Sequence, residues 1–358
     1  MHPRLIFRTH YQVDEPAYIE LLVRFCTSPV QSSYREVVEE RLKREIQKRT
    51  GTEFNIAASG YCVDLGITLG VINENGVWTD KGHLVDLVAD TSFPDKLTLT
   101  DGEKLLHLRL FLEADGAMLL EIAKYYQRHE TLKHSEAIAA RFIDDTFERI
   151  LSEYLKTSGS TAERMELRAD ILKLTRGDYK PKTRKHKLLL HFQTLFRLGL
   201  VSRAEDSTTI EYCVTNSQRA QLQELLTQIP TSEQLEDRIA NRELIAVAAA
   251  VLGFPGCQQQ AELHNSELLS RNIARLYLHV KAHGTPLCSI STLAEAAQIQ
   301  MLIEAQQFLK YEEVVAFLRM EQNAHPRDIA FHVDRMGRPA FIKFSEEWLN
   351  TASKESAK

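Results

Sequence analysis

The sequence lacks the features that would place a protein in or across a membrane. In its 358 residues no apolar run approaches the roughly 18 residues needed to span a bilayer. The N-terminus carries Arg4 and Arg8 where a secretory signal would need a continuous apolar core. We therefore expect a cytoplasmic protein with no membrane partner.

Cofactor signatures are also missing. The 5 cysteines are far apart and include no close pair of the kind that binds zinc, so we expect reduced thiols. His279 and His283 stand close enough to share a helix face, with Cys288 nearby, but the glutamate that a zinc protease needs beside the first histidine is absent. The glycines form neither a P-loop nor a dinucleotide-binding pattern. The sequence thus predicts no metal site and no other cofactor.

Positive charge is not in excess over the chain as a whole. Lysine and arginine number 44 against 49 aspartate and glutamate residues, which gives a net charge of −5. The hydrophobic fraction of 44% and the aromatic fraction of 8% indicate a chain that folds. Because such a chain is not attracted as a whole to a polyanion, a nucleic acid would have to bind to a local basic patch.

One basic patch precedes a segment of helical character. Between residues 173 and 187 the sequence has a single acidic residue, Asp178, and a run of cations: Lys173, Arg176, Lys180, Lys182, Arg184, Lys185 and Lys187. Basic clusters hold phosphates, and a helix N-terminus at the same place would add amide donors. The patch therefore favours binding of nucleic acid or another polyanion, and a solvated basic loop is the alternative.

The residues that follow the patch have the order helix, strand, loop, strand. An amphipathic helix over 188–198 ends at Gly199, and β-forming residues follow at 200–201 and 210–214. This order resembles the second half of a winged-helix domain, in which the last helix enters a nucleic-acid groove and the hairpin forms the wing. The resemblance implies that the patch holds the phosphate backbone while helix 188–198 lies in the groove. Arg197 and Arg203 would extend the same face.

The N-terminal region has a similar order. A helix over 54–66 precedes two short strands on either side of Asn75-Gly76, a dipeptide typical of hairpin turns. Thr79 then caps a return helix. Because the turn region carries Glu74 and Asp80, we expect this unit to bind protein or to be a structural copy rather than to contact DNA.

The C-terminal region shows the same order a third time. Helices over 291–318 precede a hairpin with strands at 328–333 and 340–344. Arg335 and Arg338 flank the glycine turn, a placement that suits contact with phosphate or the minor groove. A polar tip with no binding role is the alternative.

We expect a mainly α fold with small β-hairpins, an α+β fold of tandem winged-helix units joined by helical segments. Asp115-Gly116 is expected to break a helix that begins near residue 101, and the small polar residues of 156–161 are the best linker candidate. The predicted divisions are an N-terminal winged-helix-like domain (1–92), a helical connector (93–158), a second winged-helix domain (159–230), a helical region (231–284) and a C-terminal winged-helix-like domain (285–358).

The leading hypothesis is a non-catalytic protein that binds double-stranded DNA through tandem winged helices. It would be a regulator or an accessory subunit of a prokaryotic DNA-processing or defence complex. The candidate contacts are Lys180, Lys182, Arg184, Lys185, Lys187, Arg197, Arg203, Arg335 and Arg338.

Two other classes stay open. A scaffold whose winged helices bind partner proteins, as in chromosome-organising ATPase complexes, would suit the acidic net charge and the acidic first turn. A divergent nuclease is the third class, although Asp144 and Asp145 are adjacent on a helix, where they point about 100° apart and cannot face one ion.

Overall fold

The computed structural model describes residues 56–89, 99–133, 181–206, 209–255, 266–282 and 287–354, with scattered helical positions between 39 and 48 and between 142 and 169. In residues 56–59, 133, 181–187, 205–206, 209, 282 and 354 it describes the backbone alone. The predicted coarse fold class is confirmed, since the described chain is mainly helical with two small antiparallel sheets. The predicted domain boundary near residue 158 lies outside the described residues, and the division into five regions stays a prediction.

The elements follow one another in mixed order along the chain. The described helices are α1 (Ile56–Thr68), α2 (Asp80–Val88), α3 (Asp101–Arg128), α4 (Pro181–Arg197), α5 (Asn216–Gln228), α6 (Ser232–Ala240), α7 (Leu244–Val251), α8 (Ser266–Ala282), α9 (Ile290–Ala305), α10 (Tyr311–Ala324) and α11 (Glu346–Lys354). The described strands are β1 (Thr131–Lys133), β2 (Ser202–Asp206), β3 (Thr209–Cys213), β4 (Cys288–Ser289), β5 (Ile329–Val333) and β6 (Pro339–Phe344).

The N-terminal turn forms, but its strands shrink to a single antiparallel bridge between Ile72 and Trp78. Asn73 closes the turn, because its side-chain oxygen accepts hydrogen bonds from the backbone N–H groups of Asn75 and Val77 at 2.9 and 3.0 Å. Thr79 caps α2 as predicted, accepting a bond from the third residue of the helix. The expected hairpin is therefore present only as a tight turn.

Helix α3 is the central element of the fold and contacts α2, α4, α5, α6, α7 and α9. It begins with a capping box in which Thr100 and Glu103 satisfy each other's backbone N–H groups. The break expected at Asp115-Gly116 is instead a kink, since Asp115 has non-helical angles (φ −134, ψ 29) while the helix continues to Arg128. A Cβ at Gly116 would lie 2.6 Å from Leu235, so the small residue allows α6 to approach at the kink.

The first sheet has the strand order β1-β3-β2, with all pairs antiparallel. Strand β3 is central, and its residue Cys213 lies between Thr131 of β1 on one side and Ser202 of β2 on the other. Strand β1 was not anticipated, and it belongs to the segment that the sequence divisions assign to the helical connector.

The second sheet has the corresponding order β4-β6-β5 and is also antiparallel. The hairpin predicted at 328–344 is confirmed as β5 and β6, with Ile329 opposite Phe344 and a bulge after His332. The region 231–284 is helical where it is described, in α6, α7 and α8.

The buried apolar side chains form one connected cluster, which extends along the sequence from Leu42 to Ala352. Among the helices that the structure describes, none combines the length and the apolar character that crossing a bilayer requires.

Candidate nucleic-acid interface

The basic patch lies at the start of α4. Pro181 begins the helix, a position where its missing N–H costs no helical hydrogen bond. Four predicted contact residues belong to the first turns: Lys182, Arg184, Lys185 and Lys187. For these four the structure describes the backbone alone. The fifth residue of the patch, Lys180, lies outside the described residues. At 1.5 Å per residue, the four Cα atoms span about 7.5 Å of helix axis. The helix thus brings four cations to one end of a rigid element.

The second half of α4 lies inside the protein, which corrects the expectation that helix 188–198 occupies a DNA groove. Six of its apolar and polar positions are almost fully enclosed: Leu188, Leu190, His191, Phe192, Thr194 and Leu195. A helix that reads base edges must present a free face to the groove. The only described residues of 188–198 with appreciable exposure are Leu189, Phe196 and Arg197, so this segment cannot enter a groove without leaving the core.

A buried polar pair fixes α4 to the kink of α3. Nε2 of His191 lies 3.2 Å from Oδ2 of Asp115, and both side chains are fully enclosed. Thr194 on the same helix donates its hydroxyl to the backbone carbonyl of Leu190 at 2.8 Å. Two of the polar residues that make α4 look amphipathic in the sequence, His191 and Thr194, therefore have partners within the protein.

Aromatic rings bind α4 to the first sheet. Phe192 stacks on Tyr212 of β3 with ring centroids 5.0 Å apart, and Tyr126 of α3 meets Phe192 edge-on at 6.5 Å. The hydroxyl of Tyr126 donates to the backbone carbonyl of Tyr212 at 3.2 Å, and burial raises the pKa of this phenol far above its usual range. These contacts join α4, α3 and β3 into one packed unit.

Helix α4 ends at Arg197, and Gly199, two residues later, has a φ of +78° that suits the left-handed turn closing the helix. Arg197 and Arg203 flank this turn and are partly exposed. The Arg197 guanidinium carbon lies 5.8 Å from the ring centroid of Phe196, and Arg203 sits opposite Tyr212 on β2. Arg197 therefore lies at the end of α4 opposite the basic patch, about 22 Å along the helix axis from Lys182 at 1.5 Å per residue, and Arg203 follows it on β2. The two arginines do not extend the face of the patch, as the sequence had suggested.

The β5–β6 turn holds the other two candidate arginines. Asp334 organises it, since its carboxylate accepts the backbone N–H groups of Met336 and Arg338 at 2.8 and 2.9 Å. Both bonds lower the pKa of the Asp334 carboxyl group, and the bond from Arg338 has the larger effect. Gly337 supplies a φ of +75°, and the side chains of Arg335, Met336 and Arg338 are exposed. The turn is a rigid tip that presents two cations beside an apolar side chain.

The histidines and the cysteine considered for metal binding are only partly described. No group of three or more His, Cys, Asp or Glu residues in the described part of the chain has the arrangement of a metal site. His279 lies 3.0 Å from the carboxylate of Asp86, and His283 lies outside the described residues. Burial raises the pKa of the Cys288 thiol to about 12, which favours its protonated form at neutral pH.

The residues that sequence patterns missed are those whose partners are far away in the chain. The pairing of Asp115 with His191 and the contact of Arg109 with Glu295 both join separate helices, and no local spacing signals either of them. The exposed Met336 could have been identified from the sequence, because it lies between two arginines in the predicted hairpin turn.

Comparison with known proteins identifies no relative of this chain. No family model, no curated protein and no solved structure matches it. Its function has to be inferred from its own residues and geometry.

Proposed function

We propose that the protein is a non-catalytic DNA-binding protein that uses tandem winged-helix units. The observation that carries the proposal is the placement of Lys182, Arg184, Lys185 and Lys187 in the first turns of α4, a helix anchored in the core and followed directly by a hairpin. Contact through one helix end holds phosphates without requiring the rest of the helix to be exposed.

The order of the elements supports the winged-helix part of the proposal. Between residues 101 and 213, α3 and β1 precede the helical positions at 142–169, and α4, β2 and β3 come after them. Strand β1 pairs with the last strand of the hairpin rather than the first. Between residues 266 and 344, α8, β4, α9, α10, β5 and β6 come in this order with the corresponding strand order, β4-β6-β5. A helix, a short strand, further helices and a hairpin whose second strand is central resemble the winged-helix arrangement.

The proposed DNA surface consists of the first turns of α4 and the tip of the β5–β6 hairpin, with Arg197 and Arg203 as secondary contacts. This surface does not include the buried residues of α4 between 188 and 195. Such a surface binds the phosphate backbone and reads few base edges, so we expect weak sequence preference.

The test is the binding of a labelled DNA duplex at about 50 mM salt, where phosphate contacts are strong. The variant Lys182→Glu/Arg184→Glu/Lys185→Glu should lose most of the affinity. The control Arg44→Glu/Lys48→Glu/Lys281→Glu changes the net charge equally at exposed positions elsewhere and should keep most of it. Equal loss in both variants would mean that overall charge governs binding, and the assignment to α4 would be wrong.

Two observations favour a second candidate, a scaffold that binds partner proteins. Helix α10, which takes the place of the groove-reading helix in the third region, exposes Glu312 and Glu313 at its start, and these acids would repel phosphates. The nearby hairpin exposes Val333, Met336 and Phe341. If the wild type does not bind DNA at low salt, the scaffold becomes the better proposal, and Met336→Glu/Phe341→Glu should release a partner that copurifies with the wild type.

A further inference from the structure

A charged cavity of about 220 Å³ lies between α2, α3, α9 and the turn that joins α6 to α7. Five charged side chains line it: Lys81, Arg109, Glu113, Arg242 and Glu295. They come from four separate parts of the sequence. Because liquid water occupies about 30 Å³ per molecule, the cavity has room for roughly seven waters or one small organic molecule.

The floor of the cavity is an ion-pair network centred on Arg109. Its Nη1 donates to Glu113 at 2.6 Å, and its Nη2 lies 3.0 Å from Glu295. Nζ of Lys81 lies 2.8 Å from the other oxygen of Glu113. The side chains of Arg109 and Glu295 are only 10% and 5% exposed, so their charges are held where water screens them little.

Among the described residues that line the cavity, three cations face two carboxylates, so the charges of this set do not cancel. A charge in a partly buried site is stabilised by a counter-charge, and a bound anion would supply it.

Arg242 lines the cavity and belongs to the turn that closes α6, in which the backbone N–H groups of Arg242 and Glu243 donate to the carbonyls of Ile239 and Arg238. Its φ is +57°, a left-handed value that is uncommon for a residue other than glycine. Its Nη1 lies 3.7 Å from Glu295, longer than a good hydrogen bond, and its guanidinium carbon lies 5.5 Å from the ring centroid of Tyr311. A guanidinium has five N–H donors, so donors remain for a ligand. At 43% exposure, the side chain can also be reached from solvent.

The remaining wall is apolar and consists of Ile239, Ala240, Leu244 and Ile245. We propose that this cavity binds a small organic oxyanion, with a single carboxylate or phosphoryl group held by Arg242 and Lys81 and a short apolar body against the isoleucines and Leu244. Planar guanidinium groups suit both kinds of oxyanion because they donate two parallel hydrogen bonds.

A ligand here would connect regions that are far apart in the sequence. Lys81 belongs to α2, Arg109 to α3 and Glu295 to α9, and a ligand that binds only the folded arrangement raises its stability. This site does not depend on DNA binding, because none of its residues is a proposed DNA contact.

The test is the thermal unfolding of the full chain at constant ionic strength while chloride is replaced by orthophosphate or by acetate. We expect the melting temperature of the wild type to rise saturably with at least one of the two oxyanions. A response to phosphate alone assigns a phosphoryl ligand, and a response to acetate assigns a carboxylate ligand. The absence of a saturable rise with either anion would overturn the proposal.

Variants locate the response. Arg242→Asn removes the guanidinium with a residue that tolerates positive φ, and the loss of charge-assisted hydrogen bonds should weaken binding about tenfold or more. Lys81→Gln should do the same while Glu113 keeps its bond to Arg109, so the test does not depend on one variant folding. Arg275→Gln, which removes an arginine from a pair with Glu304 outside the cavity, is the matched control and should leave the response unchanged. An undiminished response in both cavity variants would show that the anion binds elsewhere.

Discussion

At the scale of single residues, two glycines are required for different physical reasons. A Cβ at Gly82 would lie 2.3 Å from the backbone oxygen of Val71 and 2.4 Å from the ring of Trp78. A Cβ at Gly253 would meet nothing within 4 Å, but its φ is +75°. The first glycine is needed for space and the second for backbone conformation.

We therefore expect Gly82→Ala to be the more destabilising of the two. Overpacking against a backbone atom costs about 3 kcal/mol, which exceeds the roughly 1 kcal/mol that alanine gains over glycine in a helix. Gly253→Ala should cost about 1 kcal/mol from the positive φ alone. Urea unfolding followed by circular dichroism measures both. A Gly82→Ala variant as stable as the wild type would contradict the close approach of α2 to the turn before it.

Residues such as Gly82 show what the sequence can and cannot predict. The turn at Asn75-Gly76 and the hairpin around Gly337 were predictable, because turn chemistry depends on neighbouring residues. The requirement for glycine at residue 82 was not, since it arises from atoms of Val71 and Trp78 that only the fold brings close.

At the scale of elements, the position of α4 depends on the buried pair between His191 and Asp115. Removing either partner leaves a polar group enclosed without its counterpart, which costs about 3 kcal/mol. We expect Asp115→Ala and His191→Ala each to lose about that much, and the double variant to lose clearly less than the sum. Unfolding free energies from urea titration complete the cycle.

The exposed pair of Arg275 and Glu304, 2.8 Å apart, provides the control cycle. Partly exposed ion pairs contribute at most about 1 kcal/mol, so its coupling should be small. Equal coupling in the two cycles would show that the buried pair does not anchor α4.

The same helix shows why the site was only partly predictable. Its existence and its end near Gly199 followed from periodicity and turn chemistry. Its burial could not be predicted, because His191 and Thr194 are polar residues typical of a solvent-facing surface. Inside the protein they form hydrogen bonds with Asp115 and with the carbonyl of Leu190. Strand β1 has three residues and no adjacent turn signal, so only its pairing with β3 reveals it.

The β5–β6 hairpin leads to a further prediction at this scale. Arg335→Glu/Arg338→Glu should weaken duplex binding and reduce the slope of log K against log salt by about 2, since each lost phosphate contact removes about 0.9. Stability should change little, because both side chains are exposed. Fluorescence anisotropy across a salt series measures the slope, with Arg44→Glu/Lys281→Glu as the control for net charge. An unchanged slope would remove the hairpin from the DNA surface.

At the scale of the whole molecule, local and overall charge have opposite signs. The chain carries −5, while four cations lie in the first turns of α4 and two lie at the hairpin tip. Long-range repulsion between DNA and the acidic remainder of the protein is screened beyond about 10 Å at 0.1 M salt, whereas direct phosphate contacts persist. Binding should therefore depend on these two places rather than on the molecule's average charge.

The most direct test of the DNA-binding proposal is the salt dependence of duplex binding by the wild type and by Lys182→Glu/Arg184→Glu/Lys185→Glu, after both are shown to fold. We predict that log K for the wild type falls linearly with log salt and that the variant's slope is shallower by about 3, one unit for each lost phosphate contact. A wild type that does not bind at low salt, or a variant with the wild-type slope, would contradict the account.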